Sequence, residues 1–496
     1  MHDVATGAPA APAFDCVIAG GTVIDGTRAP RFGADVGIVD GRIAAVGDLS
    51  GHPAVRRIDA RGRIVAPGFI DAHTHDDQAV RALPALPFKV SQGVTTVVTG
   101  NCGISIAPWR AGAPCPPPLD LMDRGEEVFT SFADYLGALQ REPAAVNVAA
   151  LVGHSTLRVL AMDRTDRPAT RDEIAAMAAE VEAALAAGAI GLSTGTFYPP
   201  AVAATTEEIV GVGAPLRGGA GLYATHMRDE ADAVMAAIEE TLDIGRALDC
   251  PVVISHHKLS GAANHGRSPQ SLGRIAAAMR GQCVALDCYP YTAGSTMIRP
   301  DRGMLDVRVI IASSVPHPEC AGRDLADIAA EWGLPRDEAA RRLQPGSAIY
   351  FMMDEGDVQR ILAFDETMIG SDGIPLGDKP HPRLWGTFPR VLGHYSRGLG
   401  LFPLETAVWK MTGLTARNFG LADRGTVAVG QAADLVVFDA DAISDTATYD
   451  DPQRPAAGID VVLVNGQPVW QGGAATGARP GQVLQRTPRN GAPRVH

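Results

Sequence analysis

The chain has 496 residues and is 46% hydrophobic, which is enough for a large buried core and for more than one domain. Its 43 basic and 56 acidic residues give a formal net charge of −13, which argues against nucleic acid or an anionic membrane as a partner. The seven scattered cysteines show no disulfide pattern, no stretch approaches the roughly 20 apolar residues of a membrane span, and the N-terminus lacks a signal-peptide pattern. These features predict a cytoplasmic globular protein and leave its oligomeric state open.

Both ends of the chain have the pattern of short strands joined by turns. Asp40-Gly41 lies between two alternating apolar runs and is typical of a type I′ hairpin, and Asn465-Gly466 marks a similar turn near the C-terminus. Neither end is long enough to bury a core alone. We therefore predict a flexible leader at residues 1–13 and one small β-sandwich domain formed by residues 14–66 and 422–484.

Between these ends, residues 67–421 alternate strands and helices, the pattern of a parallel sheet. Thr170 and Glu173 form a capping box that predicts a helix ending at Gly188, and a second long helix is predicted at 229–248. Eight strand cores favour an α/β fold, a (β/α)8 TIM-like barrel, over an open doubly wound sheet. They lie at 64–70, 94–99, 145–152, 189–193, 221–225, 252–255, 285–287 and 367–370.

The predicted barrel domain is longer than the roughly 250 residues of a typical barrel. The surplus falls at about residues 296–353, between strands seven and eight. We predict that this segment is a lid-like insertion over the barrel mouth.

Two histidines follow the first predicted barrel strand, His73 and His75, in the run GFIDAHTHDD. A strand has a side-chain period of two, so both imidazoles are expected on the same face at its C-terminal end. Imidazole pairs suit zinc and other divalent transition metals. One such pair is a moderate signal, and further ligands at later strand ends would strengthen it.

Polar side chains do follow the later strands, at the end where barrels of this kind carry their chemistry. In the run ISHHK, alternation places His256 and Lys258 on one side and His257 on the other, so we take His256 as the ligand. The positions after strands two, five, six, seven and eight are Cys102, His226, His256-His257-Lys258, Tyr289 with Tyr291, and Asp372. The sequence therefore predicts a metal centre at this end of the barrel.

These residues stand in motifs that resemble the amidohydrolase superfamily and, within it, the zinc-dependent N-acyl-D-amino-acid deacylases. The resemblance runs from Phe14 to about Leu484. Its motifs are GFIDAHTHDD, SQGVTTVVTGNCGIS, GAIGLSTGTFYPP, YATHMRDE, VVISHHK, DCYPYTAGSTM, MIGSDG and HPRLWGTFPRVLGHY.

The resemblance implies one tightly bound zinc ion and a second, weaker metal site. The tight ion would be held by Cys102, His226 and His256, and the weaker site by His73, His75, Asp372 and again Cys102. Many binuclear amidohydrolases instead bridge their metals with a lysine at the end of strand four. This chain has no lysine there, and a cysteine thiolate is a good substitute ligand for zinc.

The implied reaction is hydrolysis of a small-molecule N-acyl-D-amino acid, with Asp372 as the base that deprotonates a metal-activated water and then returns the proton to the leaving amine. The resemblance assigns the substrate carboxylate to Lys258, Tyr289 and Ser295, and Arg383 is a further candidate because arginine binds carboxylates bidentately. Phe197, Tyr350 and Met353 resemble the apolar pocket of the family and favour hydrophobic D-amino acids. Leu376 stands where relatives often have histidine, which leaves the role of that histidine open here.

Three alternatives remain at this point. A cyclic-amide hydrolase of the hydantoinase or dihydroorotase type would share the barrel but usually carries the missing lysine. Gly191-Leu-Ser193-Thr-Gly195 matches the G-x-S-x-G nucleophile elbow of serine hydrolases, although no His-Gly-Gly segment precedes it, and such an enzyme would survive chelation. A non-enzymatic scaffold would be indicated by loss of the histidine pair or of Asp372, and both are present.

Overall fold

The computed structural model describes residues 14–122 and 127–487, so the predicted leader at 1–13 lies outside the described residues. Among these residues, no helix is both long and apolar enough to cross a membrane.

Eight parallel strands form a barrel, as the strand–helix alternation predicts. The last strand closes onto the first through a parallel bridge between Thr74 and Gly373 and a hydrogen bond from the Ala72 N–H to the Ile369 carbonyl, 3.2 Å. Every strand residue is buried, because side chains fill the barrel inside and helices cover it outside. The strands are Phe69–Asp71, Val94–Thr99, Asn147–Gly153, Gly191–Gly195, Leu222–His226, Val252–Ile254, Val284–Cys288 and Thr367–Ile369.

The prediction of a single strand at 64–70 is wrong, because this run forms two strands. Ile64–Pro67 pairs antiparallel with Leu435–Phe438 outside the barrel, whereas Phe69–Asp71 opens the barrel beside the second strand. The break falls at Gly68, where a Cβ atom would lie 2.2 Å from Thr95 Cγ2. Glycine therefore allows the chain to pass between the two sheets at close contact.

The two ends of the chain join in one sheet of nine strands. Asp40 and Gly41 (φ 49° and 72°) and Asn465 and Gly466 (φ 46° and 78°) adopt the left-handed conformations that the predicted hairpin turns require. Apolar side chains from both ends pack into one core, so neither end has that core to itself. The strands are Phe14–Val23, Phe32–Val39, Arg42–Gly47, Ala54–Asp59, Ile64–Pro67, Leu435–Phe438, Ile459–Val464, Gln467–Gln471 and Ala474–Ala475.

The two predicted helices have different outcomes at their starts. The capping box is confirmed, since the Thr170 N–H donates to Glu173 Oε2 (2.7 Å) and the Glu173 N–H donates to Thr170 Oγ1 (3.3 Å). The helix predicted at 229–248 begins only at Val234, because the Asp229 carboxylate accepts backbone N–H groups from a loop before it. This loop contains Glu230, which contacts histidines of the metal centre described below.

Helices cover the barrel and the insertion. The α-helices are Ala79–Ala82, Pro87–Val90, Phe132–Arg141, His154–Ala161, Arg171–Ala187, Thr206–Val212, Val234–Leu248, Ser268–Met279, Arg302–Leu305, Leu325–Trp332, Arg336–Leu343, Glu355–Ala363, Arg383–Arg390, Leu404–Met411 and Gly413–Phe419, and a π-helix spans Val391–Gly398. Short 3₁₀ turns are Leu119–Leu121, Ala214–Gly219, Ala262–Asn264 and Pro318–Cys320.

The insertion between strands seven and eight has its own sheet and core. Its three antiparallel strands are Ala293–Met297, Arg308–Ser314 and Gly346–Phe351. Helix residues such as Leu325, Ile328 and Leu343 pack against this sheet. The first strand of this sheet borders the barrel mouth, where Ser295 lines the cavity described below.

Candidate metal centre

Cys102 lies at the centre of the side chains at the C-terminal end of the barrel. Its Sγ atom is 3.2 Å from His73 Nε2 and 3.3 Å from His256 Nε2. Two groups of candidate ligands share this thiol, and within each group the donor atoms all lie within 4.8 Å of one another. The groups are Cys102 with His226 and His256, and Cys102 with His73, His75 and Asp372.

Three of these residues have a left-handed backbone, with φ of 56° at Cys102, 36° at His256 and 50° at Asp372. Such conformations are uncommon outside glycine and cluster at functional sites, where the surrounding structure holds them. The sixth strand ends at Ile254, so strand alternation does not extend to the histidines. His256 nevertheless shares the Glu230 carboxylate with Lys258, while His257 Nε2 contacts Ser271 Oγ at 2.9 Å, away from the cluster.

The donor set fits a zinc ion. Within the described chain, neither ring nitrogen of the buried His226 forms a hydrogen bond. Buried polar atoms normally have partners, so these nitrogens indicate a missing ligand. Burial by itself would raise the pKa of the Cys102 thiol, but His73 and His256 outweigh it and hold that pKa well below its usual value. A thiolate with imidazoles is a typical zinc donor set.

Asp372 lies between the histidines and a buried arginine. Its Oδ1 atom is 3.2 Å from His75 Nε2, and its Oδ2 atom is 2.9 Å from Arg383 Nη1. Burial would raise the pKa of this carboxyl, but the Arg383 guanidinium and then His256 outweigh burial and hold it well below its usual value. Asp372 is therefore negatively charged in this arrangement.

Glu230 is a further residue of the site, at a position where the sequence predicts a helix. Its carboxylate accepts from Lys258 Nζ at 2.7 and 2.8 Å and lies 3.0 Å from His256 Nδ1 and 3.5 Å from His226 Nε2. An outer carboxylate that binds Nδ1 orients a histidine so that Nε2 faces the metal. The spacing of four residues after His226 was the available signal.

A second missed network ties the ends of strands one and eight together. Lys89 Nζ donates to Asp71 Oδ2 at 2.7 Å and to Ser371 Oγ at 2.9 Å, and Asp71 Oδ1 accepts the Ser371 N–H at 2.7 Å. All three side chains are fully buried. Since His73 lies two residues after Asp71 and Asp372 directly follows Ser371 in the sequence, the network holds the backbone from which both side chains extend.

The predicted substrate-binding residues fall into two groups. Tyr289, Ser295, Lys258 and Phe197 line one cavity of about 90 Å³ beside the metal centre, and Phe197 stacks on His226 with ring centroids 5.0 Å apart. Arg383 lies behind this cavity, with its guanidinium 4.5 Å from the Tyr289 ring.

Tyr350 and Met353 are not among the described residues that line the cavity. The Tyr350 hydroxyl donates to the Met297 carbonyl inside the insertion (3.1 Å), and Met353 Sδ lies 3.8 Å from the Tyr289 hydroxyl. Met304 and Met352 line the cavity instead. Neither was found from sequence, because their orientation depends on how the insertion packs.

Comparison with known proteins shows the family of the chain. The amidohydrolase family model matches residues 56–281 and 296–470. A D-aminoacylase from Alcaligenes xylosoxydans xylosoxydans is 60% identical over 475 residues, which cover 96% of this chain and 98% of the relative.

Two solved structures share the whole architecture. A D-aminoacylase studied for its binuclear metal centre superposes with a TM-score of 0.94 at 60% identity, covering 95% of this chain and 100% of that one. The N-acyl-D-glutamate deacylase of Bordetella bronchiseptica, complexed with zinc and a phosphonate inhibitor, superposes with a TM-score of 0.91 at 49% identity, covering 95% and 99%. The chain belongs to the amidohydrolase family, in its branch of N-acyl-D-amino-acid deacylases.

Proposed function

We propose that this protein hydrolyses N-acyl-D-amino acids to a carboxylate and a free D-amino acid, with a preference for hydrophobic D-amino acids. The observation that carries the proposal is the cluster of Cys102, His226 and His256 with the ionised Asp372 beside it. Relatives with D-aminoacylase and N-acyl-D-glutamate deacylase names support it. The serine hydrolase alternative is disfavoured, because Ser193 is buried and its hydroxyl bonds the Gly100 carbonyl and the Gly103 N–H.

A zinc ion held by Cys102, His226 and His256 would supply a positive charge that polarises an amide carbonyl and acidifies a water molecule. Asp372 accepts the proton of the attacking water and then donates it to the leaving nitrogen. The Arg383 contact keeps Asp372 ionised before the reaction and also fixes its orientation. His73 and His75 contact the other oxygen of Asp372 and would form the weaker metal site with it.

The substrate carboxylate is proposed to bind where Lys258, Tyr289, Ser295 and Arg383 converge. Lys258, Tyr289 and Ser295 line the cavity, with Lys258 Nζ 5.7 Å from the Tyr289 ring, and Arg383 lies behind this wall, where its Nη2 donates to the Ser295 carbonyl (3.1 Å). If the carboxylate binds at this wall and the scissile carbonyl binds at the metal, the amino-acid side chain can point into the rest of the cavity in only one of the two enantiomers. This three-point arrangement selects one hand of the substrate.

The apolar part of the cavity is proposed to receive the amino-acid side chain. Phe197, Met304 and Met352 line it, with Tyr350 and Met353 behind them in the insertion. An apolar lining favours leucine-like or phenylalanine-like side chains. Lys258 is the only lysine or arginine among the described lining residues, although the Arg299 guanidinium lies 4.5 Å from the Phe197 ring.

The proposed function is tested with paired D and L N-acetyl amino acids after zinc reconstitution. We expect release of free amine from N-acetyl-D-leucine and N-acetyl-D-phenylalanine, loss of activity after chelation, and recovery on zinc addition. Equal activity on the L enantiomers, or full activity after chelation with no residual metal, would refute the proposal.

Glu230→Gln is expected to weaken zinc binding and to lower kcat/KM, each by about 10–100-fold, because an outer carboxylate partner orients the ligand histidine. The substitution keeps the size of the side chain but removes the charge that pairs with Lys258 and His256. Competition with a chromophoric chelator measures the zinc affinity. Glu239→Gln, at a helix surface where it pairs with Arg274, is the matched control and should change neither value. Unaltered zinc affinity in Glu230→Gln would contradict the orienting role.

A further inference from the structure

A second, smaller cavity lies on the other side of the metal centre. Its volume is about 20 Å³, against about 90 Å³ for the cavity that contains Lys258 and Phe197. Tyr198, Ser295, Thr296 and Asp372 line both cavities.

Tyr198 and Thr296 form the partition between the two cavities. The Tyr198 hydroxyl and Thr296 Oγ1 are 3.1 Å apart, and the Tyr198 ring packs edge-on against His226 with ring centroids 4.9 Å apart. Asp372 is the ionised group that both cavities share. A substrate that reacts at Asp372 can therefore place one group in each cavity.

The two cavities differ in charge. Lys258 lines the large cavity, whereas no lysine or arginine is among the described residues that line the small one. Apart from the shared residues and His75, the small cavity has an apolar lining, which includes Ile104, Leu121 and Ile374. A carboxylate would lose its water there without a cationic partner, so the small cavity suits an uncharged apolar group.

We propose that the small cavity binds the acyl group of the substrate and restricts it to short chains of the acetyl class, with Leu121 and Ile374 setting the limit. This inference rests on the proposed function. The carboxylate and side chain of the amino acid occupy the large cavity, so the group on the far side of the scissile bond is the acyl group. A volume of about 20 Å³ holds one or two water-sized groups, which matches a methyl but not a longer chain.

The test compares N-acetyl-, N-butanoyl- and N-hexanoyl-D-leucine as substrates of the zinc-loaded enzyme. Each buried methylene can strengthen binding about threefold to fourfold. An acyl chain that fits the cavity should therefore bind more tightly as it lengthens, and one that does not fit should bind more weakly. In the unaltered protein, kcat/KM for the acetyl substrate should exceed that for the hexanoyl substrate by about tenfold or more.

Leu121→Ala and Ile374→Ala shorten half-buried side chains, so the fold should survive both changes. Each should shift the acetyl-to-hexanoyl ratio toward the longer chain by about fivefold or more. The matched control is Met304→Ala in the large cavity. It should change the preference among D-amino acids while leaving the acyl ratio within about twofold.

A binding measurement separates this inference from the proposed function. Calorimetry with Asp372→Asn, which should bind without turnover, gives dissociation constants for the same three compounds. A dissociation constant that rises with acyl chain length, and rises less in the Leu121→Ala variant, supports the acyl cavity. This holds even if the unaltered protein hydrolyses none of the three compounds. Such a lack of hydrolysis would refute only the proposed function. Two results would overturn the assignment of the small cavity, whether hydrolysis or binding is measured. One is an acetyl-to-hexanoyl ratio that neither Leu121→Ala nor Ile374→Ala changes. The other is a ratio that Met304→Ala changes by the same amount as they do.

Discussion

Cys102→Ala is expected to purify without tightly bound zinc and to lose nearly all hydrolysis of N-acetyl-D-leucine. Cys102 belongs to both candidate ligand groups, so its removal leaves the tight site with two imidazoles and the weaker site without its shared donor. Loss of an outer partner already costs about 10–100-fold in metal affinity, so loss of a direct thiolate ligand should cost more than about 100-fold. Metal analysis of the purified protein and chelator competition measure this effect.

Cys288→Ala is the control for removing a buried thiol. Cys288 ends the seventh barrel strand, and burial raises its pKa, so this thiol stays protonated. The control protein should retain zinc and activity, with only the modest loss of stability that a small cavity causes. A Cys102→Ala protein that still held stoichiometric zinc after dialysis would refute the ligand assignment.

Asp372→Asn is expected to keep zinc on the tight site but to lower kcat by about 10²–10⁴-fold, the range that general acid–base catalysis contributes. Asparagine has nearly the same shape as aspartate but cannot take a proton from water. Zinc content is the decisive second measurement, because the tight group of Cys102, His226 and His256 does not include Asp372.

The same change leaves the buried Arg383 without its anionic partner. Removing one member of a buried ion pair can cost about 3–5 kcal/mol of folding free energy, so thermal unfolding should be measured alongside kcat. Asp378→Asn alters an exposed aspartate in the same loop and should change neither quantity. A folded, zinc-loaded Asp372→Asn protein with kcat near that of the unaltered enzyme would remove Asp372 from the mechanism.

The barrel and its strand ends were largely predictable from sequence, and the errors have physical causes. Most predicted strand cores lie within two residues of the observed strands, because apolar runs bounded by turn residues report burial directly. The prediction of one strand at 64–70 was wrong, since an uninterrupted apolar segment does not show that its two halves join different sheets. The predicted helix start at 229 was wrong, because local propensity does not reveal that the Asp229 carboxylate binds backbone N–H groups of a loop.

The sequence by itself determined the chemistry that this chain carries. The local patterns are the histidine pair at 73 and 75, Cys102 in its Gly-Asn-Cys-Gly loop and the other polar residues at strand ends, and parallel strands bring their ends together in any barrel. Only the tertiary structure decided what surrounds that chemistry. Glu230 contacts Lys258 and His256, Arg383 contacts Asp372, and Leu121 and Ile374 line one small cavity. Each of these pairs brings together residues from different segments of the chain, whose orientation depends on packing and not on the neighbouring sequence.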